Sequence, residues 1–142
     1  VLNVYTARID YKGADRLNVS RRGNDDRIGL VFAPSETILS PILALRGLCV
    51  GLRDKDIELD HLTSIWVNAW ILYREAYTHE MRRSFRRHGG VWKELLRRRE
   101  VTLCCFCSDP TYCHRTVLAG ILQTMKARVC GERGDEKAQG AA

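Results

Sequence analysis

The sequence predicts an α/β fold, one compact domain with a mostly parallel sheet flanked by helices. Two segments carry that prediction. Val101-Thr102-Leu103-Cys104-Cys105-Phe106-Cys107 is a nearly continuous apolar, β-rich run, the pattern of a strand buried on both faces of a parallel sheet. A short polar loop follows, and then Val117, Leu118, Ile121, Leu122 and Met125 recur at helical spacing, so strand, loop and helix come in the order of an α/β unit. A chain of 142 residues, 45% hydrophobic and 28% charged, suits a single domain with an ordinary core. The same numbers exclude a disordered chain, a collagen-like repeat and a disulfide-stapled scaffold. We divide the chain into a domain over residues 1–131 and a flexible, polar tail over residues 132–142.

Taken in order, Val4-Tyr5-Thr6-Ala7-Arg8-Ile9 is rich in strand formers and predicts a first strand over about residues 2–9. Lys12-Gly13-Ala14-Asp15 is turn chemistry, Leu17-Asn18-Val19 reads as a short second strand, and Arg21 to Asp26 is a polar loop, exposed or folded over a ligand. Pro34-Ser35-Glu36 opens a helix with Ser35 as its cap, carried by Ile38, Leu39, Ile42, Leu43 and Leu45 to about Arg46-Gly47, although Pro41 removes one backbone donor. Residues 51–61 are charged and irregular. From Thr63 or Ser64, the apolar positions Trp66, Ala69, Trp70, Tyr73, Tyr77, Met81 and Phe85 trace one face of a long helix that ends at Gly89-Gly90. Val91, Trp92, Leu95 and Leu96 give a shorter helix that stops in Arg97-Arg98-Arg99, where cations suit the negative end of the helix dipole. After the central strand, Ser108 to Tyr112 forms a loop, a helix runs from about Cys113 to Lys126, and Ala127 to Cys130 returns as a last short strand.

The net charge of +6 is concentrated. Arg82, Arg83, Arg86, Arg87, Lys93, Arg97, Arg98 and Arg99 face one acid, Glu94, so this segment carries +7 and the rest of the chain −1. Such a ridge attracts polyanions, and Arg82, Arg83, Arg86 and Arg87 are the candidate nucleic-acid contacts; a solvated helix face is the other reading. No run approaches the roughly 20 apolar residues that span a bilayer, and the first residues lack the features of a signal peptide, so a cytoplasmic protein without a membrane partner is expected.

Of the six cysteines, Cys104, Cys105, Cys107 and Cys113 fall within ten residues. Neighbours on one strand point to opposite faces, so these are expected to be reduced thiols serving packing, metal binding or chemistry. Cys113-His114-Arg115 opens a helix at a strand's carboxyl end, where open α/β sheets bind ligands and where the helix dipole favours an anion or a thiolate. Three readings are open. Cys113 or Cys107 is a thiol nucleophile, with His114 moving a proton and Arg115 holding an anion. Alternatively, Cys105 or Cys107 joins Cys113 and His114 in holding zinc or iron, although the spacing differs from common zinc modules. In the third, the cysteines pack and Cys-His-Arg caps a helix, with or without anion binding. No cofactor is required by the first or the third. The loop of cysteine-dependent phosphatases is absent, because Cys113 stands where their arginine would and the loop has no glycine.

The run from Val101 to Pro110, followed by Cys113-His114-Arg115 and Val117-Leu118-Ala119, resembles the domain-of-unknown-function 488 family. Tyr5-Thr6-Ala7-Arg8, Leu17-Asn18-Val19 before Arg21-Arg22, Phe32-Ala33-Pro34-Ser35, and Tyr73 and Tyr77 before Phe85 and Trp92 extend the likeness over about residues 2–133. Members usually carry an acid just before the valine that follows the second strand, where this chain has Asn18-Val19-Ser20-Arg21. The resemblance implies a Rossmann-like α/β domain with a polar pocket near Cys-His-Arg. In that frame Thr6, Arg8 and Arg21 join Cys107, Cys113, His114 and Arg115 in a cationic pocket suited to a nucleotide, phosphate or flipped base. The expected function is that of a nucleotide- or nucleic-acid-directed protein, a hydrolase or transferase if it is an enzyme; a non-catalytic binding module and a structural metal domain are the alternatives.

Overall fold

The computed structural model describes residues 1–52 and 59–134. Its centre is a parallel sheet of four strands, β1 (Asn3–Arg8), β2 (Arg16–Asn18), β3 (Glu100–Cys105) and β4 (Arg128–Glu132), in the order β2-β3-β1-β4. The apolar run at Val101 places β3 in the interior, with Val101, Leu103 and Cys104 fully buried between its neighbours. β1 is the other interior strand, and Ala7 and Asn18 both lie level with Cys104. The carboxyl ends of β1, β2 and β3 therefore open on the same edge as Cys105 and the loop beyond it.

Five α-helices accompany the sheet among the described residues: α1 (Arg27–Leu30), α2 (Glu36–Leu52), α3 (Leu59–Arg87), α4 (Gly89–Arg97) and α5 (His114–Thr124). The sequence predicts no element over residues 27–30, since one turn is too short to show a period. α1 forms because the Asp26 carboxylate accepts from the backbone N–H groups of Ile28 and Gly29. Gly29 is required by close approach, as a Cβ there would collide with the carbonyl oxygen of Asn18 in β2. α2 continues past the expected end at Gly47 to Leu52 and runs through Pro41. Packing of its apolar face on α3 offsets the missing donor. Ser35 does not act only locally: its N–H and hydroxyl both donate to the Glu80 carboxylate on α3, 45 residues away.

The main core joins Leu2, Val4, Leu17, Val19, Phe32, Tyr77, Met81, Trp92, Leu103, Leu118 and Leu122. Phe32 and Trp92 meet edge to face at 4.8 Å, and the Trp92 indole donates to Ser84, whose hydroxyl donates to the carbonyl of Val31. A second cluster of Ile42, Trp70 and Tyr73 lies between α2 and α3, with Trp66 and Tyr112 against it. β4 extends beyond Cys130, so the boundary drawn before Glu132 falls inside a strand. Glu132 pairs with Arg115, and the Arg133 guanidinium lies 3.7 Å from the Tyr5 ring centroid and 3.3 Å from Asp15. These contacts hold the first residues of the expected tail; residues 135–142, like the charged stretch at 53–58, lie outside the described residues. No helix among the described residues is long and apolar enough to cross a membrane.

Candidate functional site

β3 ends at Cys105, a loop and one 3₁₀ turn (Pro110–Tyr112) follow, and Cys113 then precedes the first turn of α5. The Asp109 side chain accepts from the N–H of Thr111 to set that turn. This short return brings Cys105, Cys107 and Cys113 together, close enough for each thiol to shift the pKa of the others. His114 closes the group. Its Nε2 lies 2.7 Å from the carbonyl oxygen of Val19, and a carbonyl only accepts, so Nε2 carries the hydrogen. Burial holds the imidazole below its ordinary pKa and hence neutral, which leaves Nδ1 as a lone pair facing the Cys105 sulfur at 3.9 Å.

The three thiols are not equivalent. Cys113 is buried, and burial followed by its bonds to Cys105 and Cys107 pushes its pKa well up. The lowered pKa expected for Cys113 at a helix start is thus overridden by desolvation. Cys105 is also pushed up, to about 11, chiefly by its hydrogen bond to Cys107. Cys107 goes the other way. Hydrogen bonds from Cys105 and Cys113, with the Arg46 guanidinium 3.5 Å away, hold it far below the usual thiol range despite its partial burial. It is the half-exposed member of the set, so the sulfur whose pKa is lowered is also the one that can be reached.

Cys107 lies on the wall of a cavity of about 270 Å³ lined by the aromatic residues Trp66, Trp70, Tyr73 and Tyr112 and by the cations Arg21, Arg22 and Arg46. Trp66 and Trp70 each meet Tyr112 edge to face, at 5.5 and 5.8 Å. Arg21 is fixed by its Nε donating to the carbonyl of Pro34 and Nη2 to that of Ala33, while Arg22 is paired with Glu36. Asn18 stands where the family usually has an acid. Its Oδ1 accepts from the N–H and hydroxyl of Ser20 and shapes the turn that presents Arg21.

The residues singled out from the sequence divide. Cys107, Cys113, His114 and Arg21 line the cavity; Arg8 is exposed at the end of β1 and is not among its lining residues. Arg115, the expected fork for an anion, is 0% exposed and fully engaged. Its Nε and Nη2 meet the Glu132 carboxylate, and its Nη1 donates to the carbonyl of Cys107 and to the Cys113 sulfur at 2.8 and 3.3 Å. Thr6 reaches the same carboxylate through its hydroxyl, so it joins the site as a support for Glu132. Tyr73 lines the cavity, whereas Tyr77, one turn further along the same helix face, is core: its hydroxyl donates to the carbonyl of Phe32. Arg46 and Glu132 were missed by sequence reasoning, and no local pattern marks either.

The ligand atoms of Cys105, Cys113 and His114 lie within 4.8 Å of one another, close enough to hold one metal ion, and a backbone carbonyl on the other imidazole nitrogen is the usual support for a metal-bound histidine. Opposing this, Arg115 already places a guanidinium group on the Cys113 sulfur.

A parallel α/β sheet with a cysteine and histidine cluster at the carboxyl edge of its central strand, opening on an aromatic and cationic cavity, defines the class of this protein. Residues 57–126 of the chain match the DUF488-N3a family, described as the active DUF488-N3 subclade, which supports an assignment to the domain-of-unknown-function 488 family. No curated protein and no solved structure matches it.

Proposed function

We propose that this protein is a thiolate-dependent transferase or hydrolase acting on a nucleotide. The observation that carries the reading is the Cys107 sulfur, paired with Arg46, on the wall of an aromatic cavity. Trp66, Trp70, Tyr73 and Tyr112 suit the stacking of a base, and Arg21 and Arg46 suit its phosphate. In such a reaction the sulfur donates an electron pair to an electrophilic carbon or phosphorus, and the leaving group departs with the electrons of the bond that breaks. Cys105 and Cys113 serve as S–H donors to the sulfur. Arg115 and His114 act as positioning residues, the first on the Cys107 carbonyl and Cys113, the second on Cys105.

The test is protection of Cys107 from iodoacetamide, followed by mass spectrometry, with nucleoside monophosphates as competitors and tryptophan fluorescence as a parallel readout. Slower labelling together with quenching supports the reading; neither effect from any of the common nucleotides at millimolar concentration overturns it. If the protein is an enzyme, Cys107→Ser retains binding and loses turnover; turnover kept by the variant overturns the role of Cys107, and binding without turnover in the wild type leaves a binding module. A second reading, a metal on Cys105, Cys113 and His114, rests on their spacing. Stoichiometric zinc or iron in a native mass spectrum of the reduced protein would favour it over the nucleophile.

A further inference from the structure

Of the ridge arginines, Arg83, Arg86 and Arg87 line a groove with Ala33, Ser35 and His88. Arg82 is not among its lining residues and lies with Arg86 on the side of α5, beside Phe85 and Thr124. Arg21 lines both this groove and the aromatic cavity, so the two meet at that residue. The one acid lining the groove, Glu80, is occupied by Ser35. Among the described residues, no carboxylate pairs with Arg83, Arg86 or Arg87, and all three are exposed.

The dimensions decide what such a surface takes. At about 270 Å³ the cavity is at the small end of ligand pockets and holds one compact unit. Along α3, Arg83 and Arg87 stand about 15 and 21 Å from Tyr73 at 1.5 Å per residue. A free nucleotide that fills the cavity cannot reach them. A single strand stacked at an axial rise of about 3.4 Å per nucleotide covers the interval in about 4–6 steps. We infer that the nucleotide is presented within a single-stranded polynucleotide, whose phosphates follow Arg87, Arg86, Arg83 and Arg21 to the cavity that receives its base. The inference rests on the nucleotide reading of the cavity and adds its substrate class. An acidic peptide would match the arginines but not the aromatic wall in which they end.

The experiment uses a labelled single-stranded oligodeoxynucleotide, its duplex, polyglutamate and adenosine monophosphate, with anisotropy and Cys107 protection as readouts. Four phosphates neutralised by Arg21, Arg83, Arg86 and Arg87 give a salt slope of about −2.8, or a loss of about 50-fold in affinity over a fourfold rise in salt. Arg83, Arg86 and Arg87 changed together to Gln should reduce that loss to about 3-fold. The same change at Lys93, Arg97 and Arg99, off the groove, should leave the slope in place. Equal effects of the two triple variants, equal affinity for duplex, or equal affinity for polyglutamate would overturn the inference. If adenosine monophosphate protects Cys107 as well as the oligonucleotide does, and the oligonucleotide binds no tighter, this inference falls and the nucleotide reading stands. If neither protects Cys107, both fall.

Discussion

Replacing Arg46 should return Cys107 toward an ordinary thiol. The guanidinium is 3.5 Å from the sulfur, and a pair of unit charges at that distance interacts by about 5 kcal/mol at an effective dielectric of 20 and about 1 kcal/mol in water. Both groups are half-exposed at the cavity wall, so the lower part of that interval applies, about 1–3 kcal/mol, or roughly 1–2 pH units at 1.36 kcal/mol per unit. Arg46→Met should therefore move the titration of Cys107 upward by about 1–2 units, and Arg46→Lys by less. The thiol should remain below its ordinary value, because Cys105 and Cys113 still donate to it. The assay is the pH dependence of iodoacetamide labelling at Cys107 against thiolate absorbance. The sign also fixes a stability trend. In the interval between the lowered native pKa and the unfolded value of 9.0, the unfolded chain binds the extra proton. The stability difference between wild type and Cys107→Ala should grow as pH rises toward 9.0 and shrink as it falls. An unchanged labelling profile in Arg46→Met, or first labelling at Cys113, would refute the assignment of the thiolate.

Three other outcomes follow from the fold. Arg115→Ala leaves the Glu132 carboxylate and the Cys107 carbonyl without their partner, and urea unfolding should show a loss of about 3–5 kcal/mol rather than a selective loss of binding. Gly29→Ala forces α1 off the Asn18 carbonyl and should cost about 1–3 kcal/mol in the same assay, with no effect on Cys107 labelling. Asp15 is held below its ordinary pKa because hydrogen bonds from Thr102, Tyr11 and Arg133 outweigh the opposing effect of burial. Its contribution is present above the unfolded value of 3.8 and is lost as pH falls through the native one. Wild type and Asp15→Asn should therefore differ in stability at neutral pH and converge in acid below about pH 4.

What was legible in the sequence was what local pattern encodes. Val101 to Cys105 reads as a buried parallel strand because two faces are buried at once, and the Trp66 to Met81 stripe reads as a helix because one face is. The address of the site followed from the same logic, since β3 and α5 are joined by a short loop around Cys107 and Cys113. Roles inside the site did not follow, because pairings that cross the fold set them. Arg46 meets Cys107 over 61 residues and Arg115 meets Glu132 over 17, the latter across a helix and a strand, and no periodicity links such positions. Arg115 in particular carried the expectation of an anion fork, which its composition permits and its burial forecloses. The length of α2 was hidden for a related reason: Pro41 and Gly47 both weaken a helix that packing on α3 sustains.

The Glu132 carboxylate ties an edge strand to the interior of the sulfur cluster. It receives Arg115 from α5 and Thr6 from β1, and Arg115 in turn holds the Cys107 carbonyl and the Cys113 sulfur. The reactive loop is thereby anchored from behind by a residue that touches no ligand. Register of β4, which already shifts by a bulge between Val4 and Tyr5 of its partner, becomes a variable of the site's geometry. A shortened chain that stops before Glu132 should keep β1 to α5 and yet display a Cys107 loop without its anchor. Engineered boundaries for this domain therefore belong beyond Arg133, where the strand's two ion pairs are complete.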